Sequence, residues 1–484
     1  MQRTEINGVP VLWEQGPAPL TAALTFGVGA RHETFRTVGV THLIEHLVMG
    51  TLPKSALDRN AEVDLNTTVF YATGPSAEVV DFVNRVCRGV SDLPAERIER
   101  EMGVLRAEEG LCEHPAVALS LLARYGYRAQ GLAGTTGPGP QKLTSEHVTE
   151  HARRYFTREN AYLILTGPPP EGLDLRLPAG SAVEMPSAAH LELRLPGRIH
   201  GDNFPLVALS GIVSVHDNSS AASFAAAILR ERVEDELRGR HGISYDIGFS
   251  GTPIRLGESM AVVWADGHDD KWQVVVDTLW TAVSTLAQDG PTIAEMDHAL
   301  AMSVADLQDP RSLPGWLMVQ ASRALIGREV QTREQQLEID RAIDAESVRA
   351  SAGQLLDTAL LWVPDPSIEL AGVPDLTDDD LPQAEPIEGR VYRRKALAIA
   401  PRDLAVHISD EGVSVTASGH IMRVDWSDMV GVASAPGLRG VITVEGRMLR
   451  FTAKYLRDGD ALLAQIDEHC KGAVFETDPE EILG

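Results

Sequence analysis

Cysteine is scarce: the 484 residues hold three, Cys87, Cys112 and Cys470, far apart and without Cys-x-x-Cys spacing. That argues against a disulfide framework and a cysteine zinc site, and it fits a reducing interior. Long apolar runs are also missing. No segment approaches the ~18 uninterrupted apolar residues of a membrane span, and the opening "MQRTEINGVPVLWEQG" lacks a basic stretch followed by an apolar core. A cytoplasmic location is therefore expected. Basic charge is in deficit, with 43 Lys and Arg against 69 Asp and Glu, a formal net charge of −26. This disfavours nucleic acid and anionic membranes as partners and favours a cationic or neutral substrate.

The chain is long enough for two to four domains with their own cores. Leu20 to Val28 reads as a strand, a helix follows from about Thr41, and "TTVFYATG" reads as a further strand. The same order recurs after residue 200, where "FPLVALSGIVS" leads into "SSAASFAAAILRERVEDELRGR", "GISYDIGFSG" and "ESMAVVWADG". Two similar α+β halves are expected, with the Pro- and Gly-rich "TGPPPEGLDLRLPAGSAVEMPSAAHLELRLPG" as the linker between them. The acidic, turn-rich "VPDPSIELAGVPDLTDDDLPQAEPIEG" reads as an exposed tether. Beyond it, short alternating segments broken at SDEG, ASG and EGR, then the amphipathic "GDALLAQIDEHC", predict a small β-barrel capped by a helix. The expected units are 1–170, 195–365, a linker at 366–390, and 391–484.

One pattern occurs twice. "HLIEH" spans residues 42 to 46 and "HVTEH" spans 147 to 151. Residues four apart on a helix differ by about 40° around its axis, so both His of such a motif share a face. Two imidazoles plus a carboxylate from elsewhere make a three-ligand zinc site with an open position for water, and the motif Glu can accept a proton from that water. Context separates the copies. Around His42 the neighbours Val40, Leu43, Ile44, Leu47, Val48 and Met49 predict a largely buried helix, in which two His and a Glu are costly without partners or a metal. Around His147, Glu146, Glu150, Arg153 and Arg154 populate a polar side, so His147 and His151 are expected to sit solvated. Downstream, Glu101 and Glu108 lie seven apart in a helical stretch, where one could bind metal and the other orient a His; surface charges such as Glu96, Glu99 and Glu109 crowd the same region.

The runs "GVGARHETFRTVGVTHLIEH", "EVDLNTTVFYATG" and "IEREMGVLRAEE", in that order, resemble the first domain of the insulinase, pitrilysin and mitochondrial processing peptidase family of inverted-motif zinc peptidases. "GLAGTTGPGPQKLTSEHVTEHARRYFTRENAYLILTG" resembles that domain's closing block, which carries no metal. "LRGRHGISYDIGF" resembles the Arg and Tyr segment of the family's second domain. The resemblance spans about residues 1 to 365 and implies two α/β-sandwich domains forming half of a clamshell. It implies His42, His46 and Glu108 as zinc ligands, Glu45 as general base and Glu101 as support for the ligands. Asn66 then lies beside the substrate-binding edge strand, and Arg238 with Tyr245 hold the substrate backbone. A homodimer, or a heterodimer with a related chain, would enclose the chamber.

There are departures from that pattern. Only 61 residues, 47 to 107, separate His46 from Glu108, and "SALDRNAEVDLN" lacks much of the helix that precedes the Asn strand in the family. The segment from about Tyr392 resembles a pleckstrin-homology-like domain, with Trp426 in "VDWSDMVGV". From residue 391 it holds 11 Lys and Arg against 14 Asp and Glu, so a protein-binding or dimer-supporting role is expected rather than a membrane one. The functional expectation is a zinc endopeptidase acting on short or unstructured peptides, including leader or precursor peptides. A non-catalytic peptidase-like subunit or peptide-binding scaffold is the alternative.

Overall fold

The computed structural model describes residues 1–108, 110–201, 205–215, 219–268, 270–376 and 384–483. The first half contains strands β1 (Gln2–Ile6), β2 (Val9–Trp13), β3 (Leu20–Phe26), β4 (Asp58–Val63), β5 (Thr68–Gly74) and β6 (Ala161–Leu165). They form one sheet in the order β1-β2-β6-β3-β5-β4, antiparallel except for β2 with β6. Helices α1 (Val40–Met49), α2 (Ser76–Ser91), α3 (Ile98–Glu108), α4 (Pro115–Tyr125) and α5 (Ser145–Tyr155) follow. α1, α2 and α5 close a core around Leu24, Phe26, Phe70 and Phe156, all buried. The short segment expected to lack a helix has none and enters β4, which occupies the sheet edge.

The second half repeats this topology. Strands β7 (Gly197–His200), β8 (Leu206–Ser214), β9 (Ile247–Arg255), β10 (Glu258–Asp266) and β11 (Leu360–Val363) pair in the order β7-β11-β8-β10-β9. That matches β2-β6-β3-β5-β4, including one parallel pair at the corresponding place. Its helices are α6 (Ser219–Glu234), α7 (Trp272–Asp289), α8 (Ile293–Gln308), α9 (Leu313–Leu325), α10 (Arg333–Arg341) and α11 (Ala345–Asp357).

The halves exchange cover. α4 lays Val117, Leu121 and Tyr125 against Ala208, Val262 and Trp264 of the second sheet. α9 lays Leu313, Leu317 and Ala321 against Leu12, Ala23 and Ile164 of the first. Each sheet is thereby apolar on both faces, and neither half buries its own sheet unaided. Polar ties reinforce the join. The fully buried Arg124 donates to the carbonyls of Ser210 at 2.9 Å and Thr358 at 2.7 Å. Arg31 donates to the carbonyls of Pro186 at 2.7 Å and Ile254 at 2.6 Å.

The expected tether is in part a packed segment. Asp375 pairs with Arg198, and Ile368 and Val373 are buried, because the Arg198 guanidinium captures the chain beside β7. The acidic run at 377–383 lies outside the described residues. The terminal unit departs from the expected barrel. It holds two separate four-stranded sheets, β12 (Arg390–Arg393), β13 (Ala405–Ile408), β14 (Gly412–Ala417) and β15 (His420–Asp425) in one, and β16 (Met429–Ala435), β17 (Leu438–Thr443), β18 (Met448–Thr452) and β19 (Val474–Glu476) in the other. The short Trp426–Asp428 turn lies between β15 and β16, and an antiparallel bridge between Arg394 and Leu456 links the two sheets at the end of β12. α12 (Gly459–His469) adds Leu462 and Ile466 to their shared core, and α13 (Pro479–Leu483) ends the chain.

This unit docks on the first half. The Tyr127 amide donates to the Val444 carbonyl at 2.7 Å, and Phe35 stacks on Tyr127 at 4.9 Å with Phe475 beyond it at 6.4 Å. Gly126 makes the approach possible. Its φ is +62°, and a Cβ there would lie 2.0 Å from the Val444 oxygen.

Candidate metal and peptide-cleavage site

α1 begins at Gly39, whose φ of +88° suits glycine, and its first amides are met by a distant carboxylate. Glu33 accepts from the Gly39 amide at 2.8 Å and the Thr41 amide at 2.9 Å. Burial pushes the Glu33 carboxyl up to about 7, while those amide bonds and the helix dipole pull the other way. No sequence pattern marked Glu33 as a cap, because it sits outside the capping spacing and reaches the helix by folding back.

One turn along α1, His42 and His46 point to the same place, with ring centroids 4.7 Å apart. Glu108, at the end of α3, brings Oε2 to 3.3 Å from His46 Nε2 and 3.7 Å from His42 Nε2. A nitrogen from each His and an oxygen of Glu108 all lie within 4.8 Å of one another, a set that could hold a metal ion. Two imidazoles and one carboxylate at this spread match the donor chemistry of a three-ligand zinc site. Glu45 Oε2 lies 3.5 Å from His42 Nε2 and 3.9 Å from His46 Nε2. Burial, then the Glu108 carboxylate, raises the Glu45 carboxyl to about 8. A divalent cation between the three donors would relieve that repulsion and favour the carboxylate. Burial, with His46 adding to it, lowers His42 and keeps its ring neutral, as a metal ligand requires.

Behind His46, the buried Glu101 places Oε2 3.8 Å from His46 Nδ1 and accepts from Arg97 at 2.8 Å. The His-Glu contact is longer than a hydrogen bond, so here Glu101 faces the ring without bonding to it. His42, Glu45 and Glu108 line a cleft of about 710 Å³ together with Ala61, Glu62 and Val63 of the edge strand β4 and Asp64 just after it. Asn66 follows β4 and lines a second cavity of about 750 Å³ between the halves, with Phe249 and Met260. Its Oδ1 accepts from Arg31 at 2.8 Å.

Arg238 and Tyr245 are brought to each other but not to the cleft lining. Arg238 sits in a π-helical turn (Asp235–Arg240) after α6, donates to the Tyr245 carbonyl and the Glu234 carboxylate, and holds its guanidinium 5.9 Å from the Tyr245 ring centre. The Tyr245 side chain is 87% exposed.

The second motif corrects its sequence reading. His147 accepts from the Thr144 amide through Nδ1 at 3.2 Å and so caps α5. His151 is not solvated: it is 8% exposed and bonds through Nε2 to the Thr41 hydroxyl of α1 at 2.9 Å. Burial lowers its pKa to about 3, with His32 and Arg154 adding to the effect.

No family-level sequence profile and no curated protein matches this chain. Solved structures do match. A protease from Helicobacter pylori has a TM-score of 0.61 at 14% identity, over 75% of this chain and 99% of its own. The chain shares its fold with solved peptidases. The first half of the periplasmic protease PqqL from Escherichia coli gives 0.55 at 17% identity, covering 75% of this chain and 91% of that one. A peptidase M16 inactive domain from Pseudomonas fluorescens gives 0.57 at 15%, covering 76% and 99%. The fold is thus found in proteases and in a domain described as inactive, and the local residues must decide between the two outcomes.

Proposed function

We propose that this chain is a zinc-dependent endopeptidase that cleaves short or unstructured peptides. The observation that carries the reading is the convergence of His42, His46 and Glu108 beside the buried Glu45, in a cleft walled by a free strand edge. His42, His46 and Glu108 would hold the metal, and Glu101 would support His46. The chemistry that zinc supplies when bound is Lewis-acid activation of water and of a carbonyl oxygen. Glu45 takes the proton of the attacking water and passes it to the leaving amine nitrogen, a task that its place beside His42 and His46 suits. The substrate lies extended along β4, pairing main chain to main chain with little demand on sequence. Glu62 on that wall favours basic side chains, so equal cleavage of acidic and basic peptides would remove this part of the reading. A leader or precursor peptide is a substrate of suitable form.

The domain limits read from the sequence, a cytoplasmic setting and a pleckstrin-homology-like terminal unit complete the proposal. Two sheets sharing a core with one helix support the last of these. Tyr245, exposed and away from its own chain's cleft, fits a role in a dimer, where Arg238 and Tyr245 would hold the substrate backbone in a chamber made by two chains. The same exposure favours the second reading, a non-catalytic subunit that works only beside a related chain.

The test is metal content of the purified chain by mass spectrometry, with Glu108→Ala beside it, followed by peptide cleavage with and without candidate partner chains. About one zinc per chain, lost in the variant, is expected from a site with these three donors. No zinc in the parent after zinc has been offered would move the assignment to the non-catalytic subunit.

A further inference from the structure

The cavity of about 750 Å³ between the halves contains two arginines that no acid answers. Val213, Phe249, Met260, Met318 and Ile326 make much of its lining apolar, and Arg323 and Arg328 join them. The end of α9 sets the pair side by side. Gly327, at a φ of +79°, closes the helix, its amide donating to the Ala324 carbonyl at 3.1 Å and the Arg328 amide to the Arg323 carbonyl at 2.8 Å.

Arg323 donates through Nε to the Glu329 carbonyl at 3.0 Å. Arg328 makes no side-chain hydrogen bond to any described residue, and its Nη2 is buried. Neither guanidinium forms an ion pair among the described residues. Burial, then repulsion from Arg323, holds Arg328 below the ordinary arginine range, and burial does the same to Arg323 with Glu329 opposing it. A helix C-terminus favours a cation through its dipole, but that does not account for two that repel each other beside a cavity in a chain of net charge −26. The acids that border the cavity from the first half are engaged elsewhere. Glu62 accepts from the Tyr71 hydroxyl at 2.9 Å, and Asp64 accepts from the Asn66 and Thr67 amides and the Thr67 hydroxyl.

Glu62 and Asp64 border both this cavity and the metal cleft, so the two spaces meet at β4. The faces of that strand differ. Ala61 and its partner Phe70 belong to the core that α1 closes, whereas Val69, the partner of Glu62, packs with Leu313, Leu317 and Ala321 of α9. α1 carries His42 and His46, and α9 carries the arginine pair at its end. A peptide laid on the β4 edge sends successive side chains to opposite faces, one toward the metal cleft and the next toward the arginines.

We propose that Arg323 and Arg328 form a second binding site, which anchors a carboxylate of the peptide extended along β4, either its C-terminal carboxylate or an acidic side chain. Guanidinium groups offer forked donors that match a carboxylate, and an anion between the two cancels the repulsion that their burial creates. The apolar lining suits aliphatic or aromatic residues beside that carboxylate. Glu62 and the arginine pair together describe a peptide that carries both signs of charge. The choice of a peptide as ligand rests on the peptidase reading, whereas the anion site rests on the arginines alone.

The test is isothermal titration calorimetry of the full-length chain, in excess chelator so that no metal captures a carboxylate. The probes are acetylated leucine-alanine tetrapeptides: one with a free C-terminal carboxylate, its C-terminal amide, and that amide with an internal aspartate. The free acid should bind at least about tenfold tighter than the plain amide, and high salt should narrow the gap. Arg323→Gln combined with Arg328→Gln should remove the preference at an unchanged melting temperature, since neither side chain holds an ion pair. If the double variant fails to fold, Arg328→Gln alone, which loses no side-chain hydrogen bond, replaces it. A preference confined to the free acid assigns the site to the peptide C-terminus, and equal tightening by the internal aspartate assigns it to acidic side chains as well. Equal binding of all three peptides, no binding of any, or a preference that survives the variants overturns the proposal. Zinc and cleavage play no part in these titrations, so failure of the peptidase reading leaves their result unchanged, and loss of the carboxylate preference leaves that reading standing.

Discussion

Residues 42–46 and 147–151 spell the same pattern on two helices that touch, yet their histidines do different work. In the first copy, His42 lines a cleft, and His42 and His46 both face the Glu108 carboxylate. In the second, His147 caps its own helix and His151 props the first helix through Thr41. The difference lies in what stands opposite. Glu108 arrives from α3 at the first pair, whereas the second pair faces a hydroxyl and a backbone amide. A spacing places side chains on one face of a helix; the neighbour across that face decides their chemistry.

The comparison breaks most sharply at the two glutamates. Glu45→Gln should lower peptide cleavage by about a hundredfold or more while metal stays bound, whereas Glu150→Gln, on an exposed position, should leave cleavage unchanged. Rates measured side by side on one peptide decide it, and a fully active Glu45→Gln would sink the catalytic assignment. Next comes the metal. His46→Ala should abolish zinc retention, while His147→Ala should retain it and lose only a helix cap of about 1 kcal/mol, as read by mass spectrometry and denaturant melts.

A smaller effect sharpens the structural half of the contrast. His151→Ala leaves the Thr41 hydroxyl unpaired in a buried site and should cost about 1–3 kcal/mol in denaturant unfolding, with metal still bound. Its pH signature has a definite sign. His151 and His32 are both held neutral by burial, with pKa values near 3 against an ordinary 6.5. Below 6.5 the unfolded chain takes up protons that the folded chain refuses, so stability falls as pH drops from about 6.5 toward 3. His151→Gln should make that slope shallower; an unchanged slope would place the pH sensitivity elsewhere. The smallest expected effect is at the docked terminal unit. Phe475→Ala should loosen the packing on Phe35, two residues beyond the Glu33 cap, and raise hydrogen exchange at the start of α1 with little change in global stability.

The repeated strand and helix order was legible because alternating and near-continuous apolar runs report burial directly. The helix of the first motif was legible for the same reason: Leu43, Ile44, Leu47 and Val48 are buried around two His and a Glu. Glu33 and His151 were not legible, since each acts through a contact made by chain reversal. The expected small barrel is two four-stranded sheets with no closed ladder, and strand alternation could not reveal that β15 and β16 do not pair across Trp426–Asp428.

By itself the sequence determined the local periodicities, the glycine entry to α1, and the set of groups able to bind metal or move a proton. Tertiary structure decided which of two like-spaced motifs meets the carboxylate of Glu108, which carboxylate caps the helix, and where Arg238 and Tyr245 point. The reason is physical. Helical and strand periods are set by backbone geometry within a few residues, while desolvation and coordination depend on groups brought together from distant parts of the chain.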